Sequence, residues 1–97
     1  MKIEVHYDFT QQELVGETGI FEIADGTGLG ELLRVIDERI IDSGKNEGID
    51  TTYKTTLASQ QLNGCMVFIN GLAPGNMLET ELHDGDNIEF VYGFCGG

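Results

Sequence analysis

Basic residues are scarce in this chain: five lysines and arginines stand against seventeen aspartates and glutamates, giving a net charge of −12. That imbalance repels nucleic acid and anionic membrane, favours solubility, and steers the chain towards basic partner surfaces. Cysteine is scarcer still. Cys65 and Cys95 do not make a disulfide scaffold, and no C-x-x-C spacing offers zinc or iron–sulfur ligands. A plant-type ferredoxin, whose cluster needs four thiolates, is excluded. No stretch approaches the roughly 20 apolar residues that span a bilayer. No charged-then-apolar leader precedes the alternating residues that follow Met1, so a cytoplasmic protein is expected.

What is present suits a small folded unit. At 97 residues and 40% hydrophobic content, one domain over residues 1–97 is expected, with one sheet and about one helix. Ile3, Val5, Tyr7 and Phe9 alternate with Lys2, Glu4, His6 and Asp8, the period of a strand with one buried face. Residues 11–19 are polar, contain Gly16 and Gly19, and are expected to turn the chain into a second strand at residues 20–24. Asp25-Gly26-Thr27-Gly28 then breaks the strand. With Thr27 as N-cap, Leu29, Leu32, Leu33, Ile36 and Ile40 recur at helical spacing and predict one apolar stripe against the sheet. Glu31, Arg34, Asp37, Glu38 and Asp42 fall mostly on the opposite side, and Ser43-Gly44 is expected to close the helix.

Residues 45–64 are polar, with Ile49, Tyr53, Leu57 and Leu62 as isolated apolar anchors; a helical turn at residues 56–61 is expected there. The apolar run Cys65-Met66-Val67-Phe68-Ile69 reads as a strand with both faces occupied, ended by the turn Asn70-Gly71. Pro74-Gly75 turns the chain again, residues 77–82 read as a short strand, and Asp84-Gly85-Asp86 forms another turn. In the last strand Ile88, Phe90, Tyr92 and Phe94 alternate with Asn87, Glu89, Val91 and Gly93. This order corresponds to an α+β, β-grasp (ubiquitin-like) fold: a mixed sheet of four to five strands with one main helix on one face. Its first and last strands lie parallel at the centre, joined by a right-handed crossover.

Four motifs sharpen that reading. Glu13-Leu14-Val15-Gly16 follows the first strand, Val67-Phe68-Ile69-Asn70-Gly71 ends the third, Leu82-His83-Asp84-Gly85-Asp86-Asn87-Ile88-Glu89-Phe90 leads into the last, and Gly96-Gly97 closes the sequence. Together they resemble the small sulfur-carrier proteins of the molybdopterin synthase small-subunit and thiamine sulfur-carrier group. The resemblance spans the chain except residues 45–64. It implies that Gly97 is the chemical site: an ATP-dependent activating enzyme adenylates its carboxylate, and a sulfur nucleophile converts the adenylate to a thiocarboxylate. ATP and the sulfur donor act through that partner, no cofactor is bound by the chain, and the chain is not an enzyme on its own. A flexible tail at residues 93–97 is implied, with Gly93, Phe94, Cys95 and Gly96 inserted into the partner. Without Cβ atoms, Gly96 and Gly97 can thread a narrow channel and leave the carbonyl open to attack.

By length and by Glu13 to Gly16, the resemblance is nearest to the molybdopterin synthase small subunit, which implies the synthase large subunit as partner. Tyr92-Gly93-Phe94-Cys95 matches neither branch's usual approach to the glycines, so thiamine, cysteine, methionine and tungsten-cofactor pathways stay open, as does another sulfur-acceptor enzyme. Two readings from other classes are a non-covalent interaction module and a ubiquitin-like modifier joined through Gly97 to lysine.

Other chemistry-bearing residues have plainer readings. Cys95 is either a thiol that exchanges with the neighbouring thiocarboxylate or a small tail residue, and Cys65 reads as core. His6 and His83 lack a ligand set, so no metal site is expected. Asp84 and Asp86 flank Gly85 as turn formers, and Thr27-Gly28-Leu29-Gly30 lacks the lysine of a phosphate loop. If Val67 and Ile69 face the helix, Met66, Phe68 and Val91 share the opposite sheet face. Either they form a partner-binding patch, or residues 45–64 fold over them.

Overall fold

The structure, a computed structural model, describes residues 1–59, 61–74 and 77–92. The main sheet has four strands in the order β2-β1-β6-β5. β1 (Lys2–His6) pairs antiparallel with β2 (Thr18–Glu22) and parallel with β6 (Asn87–Tyr92), which pairs antiparallel with β5 (Cys65–Ile69). The predicted β-grasp is therefore present, with its first and last strands parallel at the centre. Ile3 and Val5 of β1, Val67 of β5, and Ile88 and Phe90 of β6 point to one side and are buried under Leu29, Leu32, Leu33, Ile36 and Ile40 of α2 (Leu29–Glu47). The Arg39 guanidinium lies 4.3 Å from the centre of the Phe21 ring, closing the β2 side of this core with a cation–π contact.

Residues 9–15 depart from the sequence expectation. A two-turn helix, α1 (Phe9–Val15), replaces the predicted turn, and β2 begins at Thr18. The cause is a capping box at Asp8: its carboxylate accepts the Thr10 N–H at 3.0 Å, and Gln11 Oε1 accepts the Asp8 N–H at 3.1 Å. β1 accordingly ends at His6, and Phe9, expected on the buried strand face, is 85% exposed.

The long helix also has different ends. Gly28, not Thr27, is the N-cap, and the first helical N–H groups find partners elsewhere: Leu29 N donates to the Thr80 carbonyl at 2.8 Å. The helix runs past Ser43-Gly44 to a left-handed Gly48. Gly44 is required for a different reason, since a Cβ there would run into Thr51 Cγ2 and stand 2.9 Å from the Ile49 carbonyl oxygen. Asp37, expected on the wet side, is buried. Its Oδ1 accepts the Thr56 N–H at 2.6 Å and the Thr56 hydroxyl at 2.8 Å, and its Oδ2 accepts the Leu57 N–H at 3.0 Å.

Those bonds draw residues 55–57 out of helical conformation. In place of the expected helical turn at 56–61 there is a short antiparallel ribbon, β3 (Leu57–Ala58) with β4 (Gln61–Leu62), in which Leu57 faces Leu62. Ser59 takes a positive φ of 62° at its bend. β5 then matches its predicted bounds and ends in Asn70 and Gly71, both at positive φ. Residues 77–82 form no strand. Met77–Glu79 is a 3₁₀ turn, and Glu81 makes an isolated bridge to Gly28.

The Asp84-Gly85-Asp86 turn starts β6 in register. The Lys2 N–H donates to Asp84 Oδ1 at 2.7 Å, Gly85 N donates to the Lys2 carbonyl at 2.8 Å, and Glu4 N donates to the Asp86 carbonyl at 3.0 Å. Asp86 Oδ1 accepts from Asn70 Nδ2 at 2.9 Å, so the Asn-Gly and Asp-Gly-Asp motifs are bonded to each other. Their joint occurrence in the sequence thus has a structural cause.

Two outcomes test this packing. Gly44→Ala should destabilise the fold by about 1–3 kcal/mol in urea titrations, because crowding outweighs Ala's helix propensity; Thr51→Ser, which removes the clashing methyl, should recover part of the loss. Burial raises the Asp37 carboxyl above its ordinary value of 3.8, outweighing the bonds from Thr56 and Leu57 that favour ionisation. The folded state therefore holds this proton to higher pH than the unfolded chain does. The stability associated with the shift is fully present below the unfolded value and is lost as pH rises through the folded one. Urea midpoints of Asp37→Asn and the parent should accordingly move in favour of Asn between about pH 4 and neutrality. A pH-independent difference would contradict the assignment.

Candidate functional site

The predicted reactive terminus, Gly97, and the tail residues Gly93, Phe94, Cys95 and Gly96 lie outside the described residues. The structure does define the strand end that precedes them in sequence. Tyr92, the last residue of β6, is held at both its backbone and its side chain. Its N–H donates to Asp8 Oδ1 at 3.2 Å. Its hydroxyl lies 2.7 Å from the Thr55 carbonyl oxygen and 3.2 Å from that of Lys54, and accepts from Gln11 Nε2 at 3.1 Å. Gln11 is fully buried and also donates to the Lys54 carbonyl at 3.0 Å. Lys54 Nζ in turn donates to the Thr10 carbonyl at 2.9 Å and pairs with Glu13 at 3.0 Å. α1, the 54–55 segment and the end of β6 thus form one hydrogen-bonded junction.

The electrostatics of the junction set its chemistry. Burial, then the neighbouring Cys65 and the carboxylates of Asp37 and Asp8, pushes the Tyr92 phenol far above its usual value, so it stays protonated and can donate. Burial likewise raises the Cys65 thiol, which makes it a poor source of thiolate. At Asp8 burial acts upward, but the bonds from Thr10, Tyr92 and Phe9 together outweigh it and hold the carboxyl below the ordinary range. Asp8 is therefore an anion at neutral pH, suited to accepting from backbone N–H groups on both oxygens.

The second feature is the sheet face away from α2. Met66 of β5 stands opposite Val91 of β6, and Phe68 stands opposite Glu89. Met66 is 40% exposed, and Phe68 and Val91 are half-buried. This apolar group adjoins Tyr92, so it lies at the tail's end of the sheet. Further across, His6 sits opposite both Glu89 and Thr18, with its Nε2 2.8 Å from Glu4 Oε2. Ile20 is exposed on β2. The bonds of residues 54–57 to Asp37, Gln11 and Tyr92 hold that segment on the helix side and not over this face.

The structure thus brings Met66, Phe68 and Val91 together, as read from the sequence, and places Cys65 in the core. His6 and His83 lie apart, and among the described residues no group of three or more His, Cys, Asp or Glu side chains could hold a metal ion. Among the same residues no helix is long and apolar enough to cross a membrane. Sequence reasoning missed Asp8, Gln11 and Lys54. The signal for the first two was present in Asp8-Phe9-Thr10-Gln11, whose acidic-to-amide spacing is that of a capping box. No local signal marks Lys54.

The sequence profile of the ThiS family matches residues 5–97. No curated protein matches the chain in sequence. Among solved structures, SAMP1 from Haloferax volcanii superposes with a TM-score of 0.72 at 16% identity, covering 100% of both chains. A putative molybdopterin converting factor subunit 1 from Pyrococcus furiosus gives 0.65 at 21% identity, over 93% of this chain and 94% of that one. A chain of the complex between subunits 1 and 2 of the molybdopterin-converting factor from Helicobacter pylori gives 0.57 at 26% identity, covering 100% of both. These likenesses agree with the observed β-grasp. The protein belongs to the ThiS family, a family of small ubiquitin-like proteins of the sulfur-carrier type.

Proposed function

We propose that the chain carries sulfur on Gly97, as a thiocarboxylate made and used by partner enzymes. The observation that carries this reading is the ThiS profile match, which runs through Gly96-Gly97. The firmly held Tyr92 supports it, because residues 93–97, which end in Gly96-Gly97, follow in sequence from an anchored strand end.

The chemistry needs activation from outside. An α-carboxyl group with a pKa of about 3.5 is ionised at neutral pH and is a poor electrophile. A carboxylate oxygen of Gly97 attacks the α-phosphorus of ATP, the bond to pyrophosphate breaks, and an acyl-adenylate forms. Hydrosulfide then attacks the carbonyl carbon and AMP leaves, giving the thiocarboxylate and a proton, with no net oxidation or reduction. The chain's own part is to present the terminus; the catalytic groups and the ATP site belong to the adenylating enzyme.

For the acceptor we favour a larger molybdopterin-converting subunit. Supporting this are the 26% identity to a chain of the Helicobacter pylori complex and the motif Glu13-Leu14-Val15-Gly16. Met66, Phe68 and Val91 would meet the partner beside the tail, and a net charge of −12 favours a basic rim around that contact. The site is read as cytoplasmic.

Incubated with ATP, magnesium, sulfide and the adenylating enzyme of its own organism, the intact chain should gain the mass difference of oxygen replaced by sulfur, located at Gly97 by fragmentation. Unchanged mass, with function surviving deletion of Gly97, would overturn the carrier reading. Adducts linked to lysine amines would instead identify a protein modifier. For the contact surface, Met66→Glu should leave the melting temperature nearly unchanged while weakening calorimetric binding to the larger subunit about tenfold. Unaltered affinity would remove that face from the interface.

A further inference from the structure

We propose that Asp8 is a positioning residue for the tail, one carboxylate oxygen capping α1 while the other supplies the last rung of the β1–β6 ladder at Tyr92. This role rests on the sulfur-carrier reading. Glu4 pairs with Asn87, Val5 with Ile88 and His6 with Glu89, and Glu4 N donates to the Asp86 carbonyl. In a parallel pair, alternate residues direct their backbone groups to the same neighbour. The N–H groups of Ile88, Phe90 and Tyr92 therefore all face the β1 side. Continued as a strand, β1 would bring the carbonyl of Asp8 opposite the Tyr92 N–H.

β1 does not continue. At Asp8 the chain turns into α1, and the Asp8 carbonyl accepts the Gln11 N–H at 2.9 Å. The Tyr92 N–H would be left without its rung. The Asp8 side chain replaces the lost carbonyl: Oδ1 accepts from Tyr92 N at 3.2 Å, while Oδ2 accepts from Thr10 N at 3.0 Å and from the Thr10 hydroxyl at 2.8 Å. Both oxygens are thus committed, one to each element. A cap alone needs only one acceptor oxygen, and serine or asparagine serves as well as aspartate. The second oxygen is the part that capping does not explain.

Its consequence falls on the reactive end. With the rung in place, the backbone is held as far as the last residue before the tail. Without it, the strand end at Tyr92 is free to fray, and only the fraction of molecules with Tyr92 in its sheet position suits the enzyme. Apparent affinity falls by that fraction, while the chemical step, which takes place on the bound terminus, is unaffected.

Asp8→Asn and Asp8→Ser test this, because each keeps one capping oxygen and loses the pair. In both, amide hydrogen exchange at Tyr92 should accelerate about tenfold, the loss of roughly one charge-assisted hydrogen bond. In ATP–pyrophosphate exchange with the organism's adenylating enzyme, the KM for the carrier should rise about three- to tenfold with kcat unchanged. Thr10→Ala, which weakens the cap and leaves the Tyr92 bond, should lower the melting temperature and leave KM as in the parent. Unchanged Tyr92 exchange in both Asp8 variants, faster exchange with unaltered KM, or an equal rise in KM for Thr10→Ala would each overturn the positioning role. If the parent itself supports no pyrophosphate exchange, the sulfur-carrier reading fails and the role with it. Parent turnover with unaltered KM in the variants removes the role of Asp8 alone.

Discussion

The structure depends on the register of β6 against β1. Side chains on a strand alternate between faces, so a slip of one residue would carry Ile88, Phe90 and Tyr92 out of the core and Glu89 and Val91 into it. Nothing in the parallel pairing itself forbids such a slip, because these strands are joined through most of the chain and not by a tight hairpin. The register is pinned at its start by the Asp84-Gly85-Asp86 turn, bonded to Lys2, Glu4 and Asn70. It is pinned at its end by Asp8 on Tyr92. Aspartate carboxylates act at both ends, each accepting from backbone N–H groups, which helps explain why so acidic a chain can hold a compact sheet.

Much of this was legible in the sequence where the cause is local. Period-two alternation marked β1 and β6, a continuous apolar run marked β5, the spacing of Leu29 to Ile40 marked α2, and Asn70-Gly71 and Asp84-Gly85-Asp86 marked their turns. The misreadings arose where one pattern hid another or where the cause was remote. Tyr7 and Phe9 extend the alternation of β1, but the cap at Asp8 starts a helix before Phe9 can reach the core. Gly44 looked like a helix end and is instead a point of close approach by residues 49 and 51. Asp37 sits among charged neighbours on the helix, and its burial is decided by Thr56 and Leu57, nearly twenty positions away. The ribbon of β3 and β4 follows from that same contact, so no inspection of residues 45–64 alone would have found it.

The candidate site was legible in a different way. Met66, Phe68 and Val91 could be placed on one face because strand geometry alone decides it. The junction around Tyr92 could not, since it joins residues 8, 11, 54, 55 and 92 through side chains and carbonyls that no periodicity connects. Its chemistry is also one of restraint. Burial keeps the Cys65 thiol and the Tyr92 hydroxyl in their neutral forms.

The placement of the connection between α2 and β5 has a further consequence. It is fastened to Asp37, Gln11 and Tyr92 on the helix side, whereas Met66, Phe68 and Val91 look the other way. Length and recognition are thereby separated. Residues can be added to or removed from that connection on either side of Lys54 to Leu57 without touching the outward face of β5 and β6. The fold can vary the bulk it carries on its helix side while keeping the same outward surface and the same strand end.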